Sequence, residues 1–285
     1  MQIICPLCQL PLIKEQINNK QGRWYCDNNH SFDIAKQGYT NLLPVQNKKS
    51  RSPGDDAEMV ASRQRFLAKE LYGPVATSLN GLVSDYVKAQ ALNQVTVIDA
   101  GCGEGYYTNK IQQGLIDYPG DSEIVGVDIS KHAVLAAARQ HKTIQWFVAK
   151  SQAIPVAEHC ADILVSLFSP IASEEFQRCL KSNGLLIIAS TGKQHLLELR
   201  EIIYPQVKEE AFNPQTALDT CFKPLNSTRI CLPIELGDNS TIQDLLAMTP
   251  HFWRASPERK QLLADIDHLS VTIDIQLHCF INTGK

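Results

Sequence analysis

The stretch that decides the fold is Gln94-Val-Thr-Val-Ile-Asp-Ala-Gly-Cys-Gly-Glu-Gly105. Val95 to Ile98 form an unbroken β-branched run, the pattern of a buried strand. The run ends in an acid, Asp99, followed by glycines at alternate positions, Gly101, Gly103 and Gly105. Glycine lets a backbone turn sharply and approach a ligand with no Cβ in the way. A helical stretch opens at Tyr106. Alone, Gly-x-Gly-x-Gly is a weak signal. The strand before it and the helix after it make it the first turn of an α/β unit, where ligands sit outside the carboxyl ends of the strands.

Working outward, strands and helices alternate. A second strand, Glu123–Asp128, ends in an acid, and Ser130 is placed to cap a helix from Lys131 to Gln140. A third strand is expected over Thr143–Val148 and a fourth over Ala161–Leu167. A helix follows over Ser173–Leu180, then Gly184 and a fifth strand, Leu185–Ala189. Such alternation predicts an α/β fold with a parallel sheet and helices on both faces. Thr228–Glu235 and Val271–Ile281 read as further strands, an antiparallel final pair in this fold. Ser240 is expected to cap a short helix to Met248, and Ser256-Pro257 to begin another. Asp128 lies 23 residues after Gly105, where a carboxylate can accept both hydroxyls of a ribose. The nicotinamide fingerprint is Gly-x-Gly-x-x-Gly, which is not the spacing here.

The amino-terminal end carries a different pattern: Cys5-x2-Cys8, seventeen residues, then Cys26-x3-His30. A thiol pair of this kind is a metal clamp, a redox pair or two buried small hydrophobes. Thiolate and imidazole are the ligands zinc prefers, and four of them close a tetrahedral structural site. Lys20-Gln-Gly-Arg23 reads as a hairpin turn and Trp24-Tyr25 as a strand into the second pair. No strand–helix context around Cys5 supports a redox pair. About 35 residues cannot bury enough core to fold unaided, so a metal staple makes physical sense.

The chain has 285 residues, 44% hydrophobic and 20% charged, room for one sizeable domain plus a small one. No apolar run approaches the roughly 18–20 residues that span a bilayer. Residues 1–12 lack the marks of a secretory signal, so a cytoplasmic protein without a membrane partner is expected. Nine scattered cysteines argue for free thiols or metal ligands rather than a disulfide framework. The net charge of −3 excludes a generally basic nucleic-acid binder. Charge is uneven, however: Lys36, Lys48, Lys49 and Arg51 stand between Ile34 and Gly54 with no acid among them. Such a patch meets a polyanion or is a solvated linker.

Asp99-Ala-Gly-Cys-Gly-Glu-Gly105 resembles motif I of the S-adenosylmethionine-dependent methyltransferases of the seven-strand class. The resemblance implies a seven-stranded, Rossmann-like, mostly parallel sheet behind a small zinc-ribbon-like domain. It implies that Asp128 holds the ribose, Asp99 the amino-acid end of the donor, and Ser151 and Gln152 the adenine. The family often has Asp five residues before the proline that corresponds to Pro155; here that residue is Lys150. A narrower family is similar as well. The zinc knuckle, Phe32–Gln46, Ser52-Pro-Gly-Asp-Asp-Ala-Glu-Met59, Cys102–Thr108, Met248-Thr-Pro250 and Trp253-Arg254 together resemble the 23S rRNA guanine-N1-methyltransferases. That resemblance implies a zinc-binding RNA-recognition module over residues 1–36, a basic linker over 37–60 and the methyltransferase domain over 61–285. A 23S rRNA hairpin is then the expected partner, and a homodimer is kept as a further arrangement.

Guanine N1 carries a proton at neutral pH, so a base must take it or hydrogen bonds must stabilise the anion. The loop after the fourth strand reads Leu167-Phe168-Ser169-Pro170, without the Asn/Asp-Pro-Pro-Tyr of many amino-methylating relatives. Phe168 is expected to stack on the target base or else to be core, and Ser169 to bond to the base. Asp55 and Asp56 are candidate bases through the resemblance, or ordinary first-turn acids of a helix over Ala57–Leu71. His195 reads as an exposed or capping residue, and Trp253-Arg254 as packing or a base-stacking pair. Arg23, Trp24, Lys36, Lys48, Lys49 and Arg51 are the candidates for RNA contact. Two other readings stay open: a methyltransferase of small molecules, and a non-catalytic RNA-binding adaptor.

Overall fold

Among the described residues, eleven strands hydrogen-bond into one sheet. The computed structural model describes every residue except Asn19, Lys20, Lys48, Lys49, Arg51, 208–211 and Lys285, with the backbone alone at Asn18, Gln21 and Asn47. The strands are β1 (Ile13–Asn18), β2 (Gln21–Tyr25), β3 (Ser31–Ile34), β4 (Tyr39–Asn41), β5 (Gln94–Ala100), β6 (Asp121–Asp128), β7 (Gln145–Val148), β8 (Ala161–Leu167), β9 (Leu180–Thr191), β10 (Phe222–Leu236) and β11 (Leu269–Asn282). The helices are α1 (Ala57–Leu67), α2 (Gly73–Ala89), α3 (Tyr106–Gly114), α4 (Lys131–Gln140), α5 (Ser173–Cys179), α6 (Leu197–Ile203), α7 (Asn239–Ala247), α8 (His251–Arg254) and α9 (Pro257–Ala264).

The spatial order is β1-β2-β3-β4-β7-β6-β5-β8-β9-β11-β10. From β7 to β9 all pairs are parallel, and β11 and β10 close the far edge antiparallel. The expectation of a seven-stranded, mostly parallel sheet is corrected here. β1 to β4 form an antiparallel meander, and β4 then runs parallel to β7 with Tyr39 opposite Trp146. The sheet is therefore eleven-stranded and mixed. The reason is β7, which would otherwise be an edge with unpaired N–H and C=O groups. β4 pairs that edge, and Leu42 N donates to Val148 O at 3.0 Å just beyond it.

Each face of the sheet has its own apolar cluster. One includes Phe66, Leu79, Ile111, Val134, Leu199 and Leu245, from α1, α2, α3, α4, α6 and α7. The other joins Ile98, Val125, Phe147 and Leu164 to Phe176 of α5 and to Ile3, Cys5, Leu12 and Trp24 of the amino-terminal module. The module therefore packs directly on the sheet.

Ser130 and Ser256 cap α4 and α9 as expected. The cap of α7 is corrected from Ser240 to Asp238, whose extended backbone lets its carboxylate accept from Thr241 N at 2.8 Å. α1 ends at Leu67, short of Leu71. Of the expected hairpin turn, Gln21 to Arg23 belong to β2, and Lys20 lies outside the described residues. No described helix is long and apolar enough to cross a membrane.

Candidate active site and metal centre

β5 delivers the glycine loop to the carboxyl edge of the sheet. Gly101, Gly103 and Gly105 have φ of +93°, +56° and +88°, in the left-handed region that disfavours side chains. A Cβ at Gly101 would stand 2.4 Å from Ser169 Cβ, and one at Gly105 2.8 Å from the Trp146 ring. At Gly103 the nearest atom would be Arg63 Nη1 at 3.6 Å, an ordinary contact with a long side chain rather than a clash. Gly101 N donates to Val127 O at 2.7 Å, which ties the loop to the end of β6.

Asp128 ends β6. Its Oδ2 accepts from Gly103 N at 3.0 Å and its Oδ1 from Ser130 N at 2.7 Å. One carboxylate thus holds the glycine loop against the start of α4. Burial pushes its pKa up, and the two N–H bonds oppose that. Asp99 is buried more deeply. Oδ2 accepts from Thr108 Oγ1 at 2.6 Å, while Oδ1 is buried without a hydrogen-bond partner. Burial, opposed by Thr108 and reinforced by Asp128 and Glu104, pushes Asp99 up to about 7. A buried carboxylate oxygen with no donor is costly. A cationic or N–H-bearing ligand group is the chemistry that would relieve it. The left-handed glycine loop and the unsatisfied oxygen of Asp99 fit an amino-acid-bearing nucleoside.

The turn after β7 is closed by Ala153 N donating to Lys150 O at 3.0 Å. It presents Ser151, half-buried, and Gln152, exposed. On the other side of β6, the linker lies across the strand end. A Cβ on Gly54, φ +82°, would come 2.9 Å from Ile129 and Ser130. Ser130 Oγ donates to Asp55 O at 2.6 Å. Asp55 pairs with Arg63 at 2.6 Å, and Arg63 Nη2 donates to Met248 O at 3.1 Å. Burial works against the charge on Arg63, but Asp55, Glu104 and Asp128 hold its pKa above the ordinary value. Sequence reading missed Arg63. The signal was the coincidence of Ser52–Met59 and Met248–Pro250 in one resemblance, which Arg63 joins physically. Asp56 is the N-cap of α1, accepting from Met59 N at 2.9 Å.

At the end of β8, Phe168 has φ +56° and is 47% exposed. Its ring lies tilted against Tyr107 at 6.3 Å. The core alternative for Phe168 is thereby corrected: the left-handed turn throws the ring outward. Ser169 Oγ donates to Ala100 O at 2.7 Å and lies 2.9 Å from Ser166 Oγ, so its hydroxyl anchors the glycine loop. Asp55 is paired with Arg63 and Asp56 caps α1, so both carboxylates already have partners in the linker and its helix. His195 is half-buried rather than exposed: its Nδ1 accepts from Asp274 N at 3.3 Å, and burial pushes its pKa down to about 4.

The four expected metal ligands do converge. The donor atoms of Cys5, Cys8, Cys26 and His30 all lie within 4.8 Å of one another. Cys8 Sγ and Cys26 Sγ are 3.6 Å apart, and His30 Nδ1 is 3.5 Å from both Cys5 Sγ and Cys26 Sγ. Zinc–sulfur bonds of about 2.3 Å and zinc–nitrogen bonds of about 2.0–2.1 Å at tetrahedral angles give edges of about 3.8 and 3.5 Å. The donor set and its spacing fit that ion.

The basic candidates divide. Arg23 pairs with Glu15 at 2.6 Å and lies over Tyr25, and Lys36 is exposed. Lys48, Lys49 and Arg51 lie outside the described residues. Trp24 is corrected: only 9% exposed, it meets Phe147 edge-on at 6.0 Å, and its ring is core rather than RNA contact. Trp253 is 66% exposed, against the packing reading.

The glycine loop, the acid after the second strand of the parallel core and the antiparallel closing pair define a Rossmann-like methyltransferase. Residues 92–234 match the family model described as methyltransferase domain, and the chain belongs to that family. Residues 3–51 match a zinc-ribbon model described as RlmA, N-terminal. The chain is 29% identical over 284 residues to the "Putative 23S rRNA (guanine-N(1)-)-methyltransferase YxjB" of Bacillus subtilis (strain 168), covering 96% of this chain and 94% of that protein. It is 28% identical over 259 residues to the 23S rRNA (guanine(748)-N(1))-methyltransferase of Streptomyces fradiae, covering 89% and 86%. The solved structure of the YcgJ protein from Bacillus subtilis is 18% identical, with a TM-score of 0.49, covering 72% of this chain and 98% of that one.

Proposed function

We propose that this chain transfers a methyl group from S-adenosylmethionine to N1 of a specific guanine in a hairpin loop of 23S rRNA. The observation that carries the reading is the pairing of two parts in one chain. A donor loop with an unsatisfied buried carboxylate oxygen is joined to a zinc-ribbon module, in an order similar over nearly its whole length to proteins named for that reaction.

When bound, the donor would supply an electrophilic methyl on sulfonium: the N1–C bond would form as the S–C bond breaks, a neutral thioether would leave, and the N1 proton would pass to solvent water. The protein's part is alignment and enclosure. Asp128 fixes the loop through Gly103 and offers remaining lone pairs to the ribose hydroxyls. Asp99 Oδ1 would hold the amino-acid end, and Ser151 and Gln152 would hold the adenine. Asp55 and Arg63 close the donor side under the 248 segment. Phe168 offers its exposed ring to the target base, and Ser169 keeps Gly101 in place beneath it.

N1 lies inside a Watson–Crick pair, so the target is unpaired or flipped out, as loop bases are. Cys5, Cys8, Cys26 and His30 hold zinc as a closed structural crosslink. Residues 1–36 and the linker to residue 60 grip the RNA through Arg23, Lys36, Lys48, Lys49 and Arg51, with Trp253 and Arg254 as a second exposed contact.

The test is nucleoside mass spectrometry after incubating the protein and S-adenosylmethionine with unmodified 23S rRNA. The expected result is 1-methylguanosine, abolished by Asp128→Ala. A different methylated nucleoside, or none on either free rRNA or ribosomal particles, would overturn the reading. The small-molecule alternative would then lead.

A further inference from the structure

Residues 2–4 lead into the first metal ligand, Cys5, and they are not free. Ile4 N donates to Pro155 O at 3.0 Å, Ala157 N donates to Gln2 O at 2.9 Å, and Ile3 bridges Val156 antiparallel. The segment they grip follows directly from the Lys150–Ala153 turn. Its other side is held by α5. Ile154 N donates to Glu175 Oε1 at 2.6 Å, while Arg178 donates to Ile154 O at 2.9 Å and to Val156 O at 2.8 Å. Glu175 and Arg178 are themselves paired at 2.7 Å. On the near side of the turn, β7 is paired along its edge by β4, the last strand of the meander that carries Cys26 and His30 between its β2 and β3 strands. The turn is therefore framed before and after by backbone pairing to the metal-bearing module.

We propose that the metal centre is a positioning element of the donor site: an ion bound at Cys5, Cys8, Cys26 and His30 tightens donor binding by fixing residues 2–4 against 155–157. The proposal rests on the donor and zinc reading above. A bound ion fixes Cys5, and the pairing to 155–157 begins at the adjacent residue, Ile4. With the ion gone, each knuckle keeps its own backbone bonds, Cys5 N to Leu10 O at 2.8 Å in the first and Asn29 N to Cys26 O at 2.9 Å in the second, but the crosslink that ties the two together is lost. The pairing then loses its fixed end, and the turn must be ordered when the donor binds. Ordering entropy met in advance appears as affinity. Couplings of this kind span about 5- to 150-fold, and about tenfold is expected here.

Linkage makes the effect reciprocal, so the donor product must tighten the ion by the same factor. The experiment equilibrates the zinc-loaded full chain with a chromogenic chelator, with and without saturating S-adenosylhomocysteine. Calorimetry on the same sample reports whether the nucleoside binds. The expected result is an about tenfold higher apparent zinc affinity with the nucleoside bound. Equal zinc partition with the nucleoside demonstrably bound would overturn the coupling and leave the functional reading standing. No nucleoside binding to the zinc-loaded chain would overturn both.

Discussion

The metal centre and the donor loop are both tight turns at strand ends, yet they differ in what they leave unsatisfied. At the centre, three thiols and an imidazole face one another within 4.8 Å, a set that one small ion completes. At the loop, backbone N–H groups are matched to Asp128 and Val127, but one oxygen of Asp99 is buried with no partner. A structural ion needs a closed set of ligands. A site for reactants keeps groups whose partners arrive with the ligand. The two sites also share a strand neighbourhood, since the module that holds the ion pairs with β7 and with the segment behind the donor turn.

Breaking the closed site should cost most. Cys26→Ala removes one of four ligands, and structural zinc accounts for about 10–16 kcal/mol of apparent folding free energy in isolated fingers. We expect zinc content well below one ion per chain by elemental analysis. We also expect a clearly lower melting temperature, because Cys5, Cys26, Leu12 and Trp24 belong to the apolar cluster on the sheet. A smaller effect is expected at the loop's support. Ser169→Ala loses the hydroxyl bond to Ala100 O, worth about 1 kcal/mol of stability, with methyl transfer slowed by less than about tenfold. A loss of about a hundredfold or more in kcat with donor affinity unchanged would place the hydroxyl on the target base instead.

Much of the parallel core was legible. Val95–Ile98, Ile163–Val165 and the Ser130 and Ser256 caps carry strong local signals, and the spacing of Cys5, Cys8, Cys26 and His30 announced their convergence. What stayed hidden depends on distant partners. β4 is three residues long, and its partner β7 lies more than a hundred residues away, so no local pattern reveals the eleven-stranded sheet. Trp24 in a small polar module reads as an exposed aromatic until Phe147 is placed beneath it. Arg63 reads as a solvated helix residue until Asp55 and Met248 fold over it. Asp238 and Ser240 are both good caps two residues apart, and only the backbone geometry chooses between them.

The claim that the loop waits for a cationic amino-acid end is tested most directly by the pH dependence of binding. Burial raises Asp99 from its ordinary 3.8 to about 7 in the unliganded fold. Between those values the folded chain holds a proton that the unfolded chain has lost, so this group's contribution to stability falls as pH rises through that window and levels off above it. An ammonium needs the ionised form, so binding below the raised pKa requires Asp99 to give up its proton. Calorimetric titration with S-adenosylhomocysteine should therefore show affinity rising about tenfold from about pH 5.5 to about pH 7, with proton release at the acidic end. An affinity that does not change over that range would contradict the account.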